Sequence, residues 1–334
     1  MNINNLEKSL IGEPKYRLKQ AREAVFNKLI QDWKDLSVFP LELRERLNKE
    51  FPLLIKAEIF ESQEKNTVKI ALILKDNLKI ESILMRHIDG RNTVCVSSQV
   101  GCPLACEFCA TGKIGFKRNL DAWEITDQVL FFNRYLKKEQ KRATNVVFMG
   151  MGEPFLNYDN VLGAIKILND KSFFNIGARH ISISTAGVIE GIKKLAKENF
   201  QINLAVSLHA PNNELRTKIM PINKKYPIEA VLKTVDQYIK ETKRKVMFEY
   251  LLIKDLNDSE DCALELAKLM KKPLYFLNLI LYNPTGSFKK SLPEKVKKFK
   301  KILEKKGVQF VQRYRFGEDI KGACGQLVFK ENNN

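Results

Sequence analysis

The chain has 334 residues, 44% hydrophobic and 29% charged, enough for one large globular domain or two of ordinary size. Sixteen glycines and eleven prolines exclude a collagenous or low-complexity chain. The longest apolar stretches, such as 274–282, are strand-sized, well short of the roughly 18 residues of a membrane span. Lys and Arg number 57 against 39 Asp and Glu, a formal charge of +18 that suits a polyanion such as RNA and equally a lysine-rich solvated surface. The first twenty residues have no apolar core or small-residue cleavage site, so a cytoplasmic protein is expected.

Residues 1 to about 60 read as helical: 16–30 and 40–51 carry apolar residues at three- and four-residue steps, and Pro14 and Pro40 stand where helices begin. Alternation over 66–85, broken by Lys75-Asp76-Asn77, predicts a hairpin. From residue 93 the pattern becomes strand, loop, helix, repeated. Strands are predicted over 93–98, 145–150, 180–185, 203–208, 246–253 and 275–282. Helices are predicted over 122–136, 160–168, 189–198, 227–241, 260–271 and 293–306. A last strand over 308–316 leads into a Gly-flanked tail expected to be mobile. Six βα units imply a parallel sheet wound one way, and a closed barrel needs eight. The expected fold class is therefore α/β, a partial (βα)6 barrel with a small N-terminal helical plus β-ribbon module. The expected organisation is an RNA-binding accessory module over 1–87, the core barrel over 88–319 and the tail over 320–334. Chemistry in such folds sits on the loops after the strand C-termini.

Three of the six cysteines, Cys102, Cys106 and Cys109, fall within eight residues directly after the first of these strands. Clustering of this kind in an intracellular chain points to metal. A structural zinc site takes four protein ligands and a ferredoxin cluster four cysteines. Three thiolates on a [4Fe–4S] cluster leave one iron open to a small molecule.

Cys102-x3-Cys106-x2-Cys109 at the end of the first strand of a partial barrel resembles the radical S-adenosylmethionine (SAM) superfamily. Segments 96–120, 148–161, 182–188, 205–216, 220–229 and 322–327, with 16–26 near the N-terminus, look like the RlmN family of dual-specificity rRNA/tRNA adenine-C2 methyltransferases. This similarity spans nearly the whole chain. It implies a [4Fe–4S] cluster on Cys102, Cys106 and Cys109, and SAM held by Gly152, Glu153, Ser184, Ser207, Leu208, His209 and Asn283. Glycines allow close approach to a ligand, and Glu153 offers a carboxylate to an ammonium, although 150–154 also has the plainer reading of a tight strand–helix turn. The serines at strand ends and the Asn-Pro turn at Asn283 also have plain structural readings.

Adenine C2 is electron-poor and cannot attack the methyl of SAM directly. The resemblance implies a detour in which Cys324 takes a methyl from one SAM and becomes S-methylcysteine. A radical from a second SAM removes a hydrogen from that methyl, and the carbon radical adds to C2. Glu81 is then the proton acceptor, and Cys95 attacks the Cys324 sulfur, releasing methylated RNA and a transient disulfide. Without the resemblance Cys95 reads as a small strand hydrophobe and Glu81 as an exposed ribbon carboxylate, while Cys262 reads as core. The implied substrates are one adenosine at the peptidyl-transferase centre of 23S rRNA and adenosine 37 of tRNA. An electron donor such as flavodoxin, a monomeric state and no membrane contact complete the expectation. Candidate RNA-facing cations are Arg17, Lys19, Arg22, Lys113, Lys117 and Arg118, whereas the lysines of 289–306 read as a solvated face. The nearest rival is the related Cfr-type C8 methyltransferase, which has GMGEA and SLHSP where this chain has GMGEP and SLHAP. A radical SAM activase or maturase of proteins has no use for Cys95 and Cys324. A metal-stabilised RNA-binding module has none for the SAM-site residues.

Overall fold

Proline 14 and Pro40, extended at φ −55° and −54°, each launch a helix, Lys15–Arg22 and Leu41–Glu50. In the computed structural model, which describes residues 3–286, 288–314 and 316–328, these helices bury Ala21, Leu43 and Leu47 around Trp33 and Phe39. The Trp33 indole N–H donates to the Phe51 carbonyl at 2.8 Å, satisfying a polar atom that burial would otherwise strand. Arg134, from the barrel helix Ala122–Leu136, donates to the carbonyls of Ile30 and Leu53 at 2.7 Å each and fastens the module to the body.

Strand β1, Ala57–Glu61, corrects the expectation of helix up to residue 60. Its side chains are mostly exposed, so no apolar alternation betrays it, and only its pairing with β2 (Thr67–Ile73) makes it a strand. Strand β3 (Lys79–Arg86) returns antiparallel to β2 and in turn pairs antiparallel with β4 (Asn92–Cys95). A short ribbon follows, β5 (Gln99–Gly101) with β6 (Phe116–Asn119), in a stretch expected to be loop. Then come β7 (Asn145–Phe148), β8 (Ile181–Thr185), β9 (Asn203–Ser207), β10 (Val246–Leu252), β11 (Tyr275–Leu281) and β12 (Phe310–Gln312). The sheet order is β1-β2-β3-β4-β7-β8-β9-β10-β11-β12, parallel from β4 onward. The ribbon of the N-terminal module and the barrel strands thus share one mixed sheet. Its two edges do not pair among the described residues, so the barrel is partial. The six expected helices stand within a few residues of their predicted bounds, the first started by an Asp121–Glu124 capping box. Among the described residues no helix is long and apolar enough to cross a membrane.

The last strand is shorter than the predicted 308–316, part of which, Arg315, lies outside the described residues. Past Arg313 the chain leaves the β11 edge and crosses to the ribbon. Gly317 adopts φ +61°, and a Cβ there would meet Thr67 at 2.7 Å. The tail is strapped rather than loose as expected. Asp319 accepts from the Gln63 N–H at 2.8 Å, Gly325 accepts from the Ala110 N–H at 2.8 Å, and Leu327 accepts from the Thr111 hydroxyl at 2.6 Å. Residues 329–334 of the predicted tail lie outside the described residues.

Candidate active site

The three clustered cysteines occupy a loop clamped at its base by the β5–β6 ribbon, with the Cys102 N–H donating to the Gly115 carbonyl at 2.9 Å. Gly101 cannot be replaced in that clamp, since at φ +76° a Cβ would lie 1.8 Å from the Gly115 oxygen. Burial pushes the Cys102 thiol up to about 12 and Cys106 well above the ordinary thiol value, and for Cys106 the charges of Cys109 and Cys102 add to the push. Three sulfurs that repel one another in a desolvated loop are a donor set that calls for positive charge between them. No three His, Cys, Asp or Glu side chains among the described residues converge on one ion. A cubane instead takes each thiolate on a separate iron, so three half-buried thiols on one loop fit a [4Fe–4S] cluster with one iron unclaimed by protein.

Around this loop stand the ends of the parallel strands. Gly152, after β7, has φ +100°, and a Cβ would strike the Gln99 side chain at 2.6 Å. Glu153 is buried, accepts from the Phe155 and Ala186 N–H groups at 3.1 and 2.7 Å, and is pushed by burial up to about 7. It therefore caps the turn that follows it, takes a further hydrogen bond from the Thr185 hydroxyl, and has no cationic partner among the described residues. Ser184 on β8 and Ser207 at the end of β9 are half-buried. Leu208 is fully buried, and the Leu208 and His209 N–H groups donate to the Glu249 carbonyl at 3.0 and 3.1 Å. His209 accepts from the Leu251 N–H at Nδ1 (3.1 Å), and burial drives its imidazole down to about 3, so it is neutral. Its ring meets Phe108 of the cysteine loop edge-on, centroids 4.9 Å apart. Asn283 donates to the Cys324 carbonyl at 3.2 Å, while its Oδ1 is buried with no partner. The other unpartnered buried atoms are arginine nitrogens, so among the described residues this is the one orphaned acceptor.

Cys95 ends β4, buried opposite Ile83, and its thiol is pushed up to about 12, chiefly by burial and further by the charge of Cys324, with Arg313 opposing. Cys324, on the tail, is exposed. The two sulfurs therefore lie within electrostatic reach of each other. Both are free thiols, so the transient disulfide that the resemblance implies for this pair is not present in this structure. Cys262 is buried in the helix Glu260–Met270, away from this group, as a core residue should be.

Glu81 is not the exposed ribbon carboxylate of the plain reading. It is 2% exposed, pairs with Lys69 at 3.0 Å and accepts from the Val328 N–H of the tail at 2.8 Å. Burial raises its carboxyl above the ordinary value in spite of Lys69 and that hydrogen bond. Two further residues lacked any assignment in the sequence. Lys69 is a buried cation inside an apolar strand pattern. Arg216, the last residue of the segment 205–216, is fully buried and donates to the carbonyls of Ala186, Ser207 and Leu208 at 2.7, 3.0 and 3.1 Å, pinning the ends of β8 and β9. The expected RNA-facing cations fare unevenly. Arg118 is committed to Asp76 and, bidentate, to Glu124, Arg22 pairs with Glu7, Arg17 donates to the Val38 carbonyl and Lys113 to the Thr285 carbonyl.

Residues 96–267 match the family model of the radical SAM superfamily. A probable dual-specificity RNA methyltransferase RlmN of Dictyoglomus thermophilum is 45% identical over 318 residues, 95% of this chain and 91% of that protein. A protein of Nitrosopumilus maritimus named ribosomal RNA large subunit methyltransferase N is 42% identical over 96% of this chain and 95% of its own length. Among solved structures, a radical SAM methyltransferase from Sphaerobacter thermophilus superposes with a TM-score of 0.93 at 40% identity, covering 98% of this chain and 97% of that one.

Proposed function

The chain belongs to the RlmN family of radical SAM RNA methyltransferases, and on that premise we propose that it methylates C2 of adenosine in 23S rRNA and in tRNA. As a member it is a transferase whose cofactors are a [4Fe–4S] cluster and SAM. The cluster and SAM, when bound, supply one-electron cleavage of SAM and with it a hydrogen-abstracting radical. Cys102, Cys106 and Cys109 would hold the cluster. Gly152, Glu153, Ser184, Ser207, Leu208, His209 and Asn283 would line the SAM site, where Glu153 offers a carboxylate to an ammonium group and the orphaned Asn283 Oδ1 offers a hydrogen-bond acceptor.

The observation that carries the reading is the electrostatic proximity of Cys95 and Cys324 beside a buried carboxylate, Glu81, that the same tail touches. A generic radical enzyme has no need of that trio. Cys324 accepts a methyl group as thiolate. Once the methylene carbon joins Cys324 to adenosine, Glu81 takes the C2 proton, for which its raised pKa suits it, and the unpaired electron of the adduct would pass to a one-electron acceptor such as the bound cluster, restoring the aromatic ring. Cys95 then attacks the Cys324 sulfur. The S–S bond forms, the S–C bond breaks, and its electron pair leaves on carbon, which takes a proton to become the methyl group. The N-terminal module over 1–87 serves as the RNA-binding accessory part, and an external donor such as flavodoxin supplies electrons to a monomeric, cytoplasmic enzyme.

Nucleoside mass spectrometry tests this on RNA from a host lacking the modification, treated anaerobically with enzyme, SAM and reductant, beside Cys324→Ala. The expected result is 2-methyladenosine that disappears in the variant. 8-Methyladenosine would assign the chain the chemistry of the C8 relatives. SAM cleavage without any methylated adenosine would overturn the reading.

A further inference from the structure

Four side chains stand in line on one face of the ribbon. Phe60 of β1 lies opposite Lys69 of β2, Lys69 opposite Ile83 of β3, and Ile83 opposite Cys95 of β4. Glu81, two residues before Ile83, belongs to the same face, so Lys69 and Glu81 are diagonal neighbours. The Lys69 ammonium stands 3.0 Å from Glu81 Oε1 and 5.1 Å from the centroid of the exposed Phe60 ring, bracketed between a carboxylate and an aromatic face. The backbone of Glu81 is held as well. Its N–H donates to the Met151 sulfur at 3.3 Å, and its carbonyl accepts from the Ser97 hydroxyl at 2.6 Å. The other carboxylate oxygen, Oε2, accepts from the Val328 N–H of the tail that carries Cys324. We propose that Lys69 is a positioning residue for the proton-transfer step, holding the Glu81 carboxylate ionised and in place for the C2 proton while the tail engages the opposite oxygen. The inference rests on the role given above to Glu81.

Stability alone does not account for the pair. Replacing a buried ion pair by apolar side chains of similar volume is commonly neutral or stabilising, and Val68, Ile70, Ala71 and Leu72 around Lys69 are already apolar and buried. What the cation does that an apolar residue cannot is oppose the uptake of a proton by a carboxyl that is 2% exposed. The other ionisable groups on this face are Lys79 of β3, paired with Glu58 of β1 at 3.1 Å, and Cys95 of β4, while at its contact with Glu81 the tail brings a backbone N–H. The tail also crosses the line from Lys69 to Cys95, since a Cβ on Gly322 would meet the Ile83 side chain at 3.3 Å. Base, cation, resolving thiol and the segment that carries Cys324 therefore share one face of four adjacent strands.

The test follows the covalent adduct of RNA and Cys324 through a single turnover of the holoenzyme, quenched at intervals and read on denaturing gels, with 5′-deoxyadenosine measured in the same samples. Lys69→Gln keeps a hydrogen-bonding side chain beside Glu81 without the charge, and Lys69→Arg keeps the charge. Without the cation the carboxyl stays protonated to higher pH. In Lys69→Gln the adduct should therefore decay about tenfold more slowly than in wild type at pH 6.5, the deficit closing towards pH 9. Formation of 5′-deoxyadenosine should be unchanged, and Lys69→Arg should recover most of the decay rate. Ionisation of Cys95 affects wild type and variant alike, so their ratio isolates Lys69. An unchanged decay, a deficit equal at every pH, or a matching fall in 5′-deoxyadenosine would overturn the proposal. Difference infrared spectra of Lys69→Gln against K69Q/E81Q read the Glu81 carboxyl without RNA, and a neutral-carboxyl band is expected at pH 6.5 that disappears by pH 9 and is missing from wild type. That band beside a wild type that forms neither adduct nor methylated adenosine would overturn the functional reading and leave the hold of Lys69 on Glu81 standing, whereas its absence would overturn that hold.

Discussion

Replacing Lys69 by methionine removes the cation 3.0 Å from the Glu81 carboxylate and leaves that carboxylate buried. At an effective dielectric constant of about 20, the lost attraction is roughly 5 kcal/mol, and breaking a buried pair from one side costs about 3–5 kcal/mol in practice. The carboxyl can avoid that cost by taking up a proton. From its reference value of 4.5, protonation costs about 5 kcal/mol at pH 8 but under 1 kcal/mol at pH 5, at roughly 1.4 kcal/mol per pH unit. The variant takes the cheaper route, so it should lose about 4 kcal/mol at pH 8 and about 1 at pH 5. The sign follows from linkage. A carboxyl raised in the folded state binds more protons folded than unfolded, so stability present below the unfolded value is lost as pH rises towards the folded one. With an unfolding entropy of about 2.1 cal/mol/K per residue, the 334-residue chain should show a fall in Tm near 6 °C at pH 8 and only 1–2 °C at pH 5. Scanning calorimetry of wild type, Lys69→Met and the double variant K69M/E81Q at the two pH values measures this. The double variant should lose the pH dependence. Equal losses for Lys69→Met at pH 5 and pH 8, or no relief from Glu81→Gln, would refute the account of Glu81 as a carboxylate kept charged by Lys69.

Cys106→Ala should lose the brown charge-transfer absorbance and most of the iron, whereas Cys262→Ala should keep both, as an iron assay on anaerobically purified protein will show. Gly152→Ala forces a side chain into φ +100° and into Gln99, so SAM affinity measured by equilibrium dialysis should fall at least tenfold with iron content retained. Arg216→Leu strips the donors from the Ala186, Ser207 and Leu208 carbonyls. It should lower Tm by several degrees and weaken SAM binding together, whereas a loss of SAM binding with Tm unchanged would contradict its role as the pin between β8 and β9. Asn283→Leu removes both the orphaned acceptor and the anchor on the Cys324 carbonyl, and should cost SAM affinity by calorimetric titration while leaving the cluster intact.

The helices were legible because amphipathic spacing, helix-starting prolines and the Asp121–Glu124 cap are local signals. Strands β10 and β11 were legible because strands buried on both faces read as nearly continuous apolar runs, and β8 because Ile181 and Ile183 alternate with serines. What escaped detection had no local signature. Strand β1 shows its side chains to solvent, and β5 and β6 are only a few residues each, visible through their pairing alone. The cysteine triad announces itself because its members sit on one loop. Lys69 and Arg216 do not, because what gives each its meaning is a partner that folding supplies: a carboxylate on the next strand and carbonyls at two strand ends. Glycines around Cys324 suggested looseness in the tail, yet their conformational freedom serves the opposite end, since Gly317 turns the chain against Thr67 and Gly325 brings its carbonyl to the Ala110 N–H.

The bond between Glu81 and Val328 joins residues 247 apart. A ribosome making this chain from its N-terminus therefore releases the ribbon, the cysteine loop and most of the barrel long before the segment that closes over them. During that interval the loop lacks the contacts that Gly325 and Leu327 later make with Ala110 and Thr111. Vectorial synthesis thus makes the strap last, so that a chain cut short in translation lacks both Cys324 and the hydrogen bonds that tether Ala110 and Thr111.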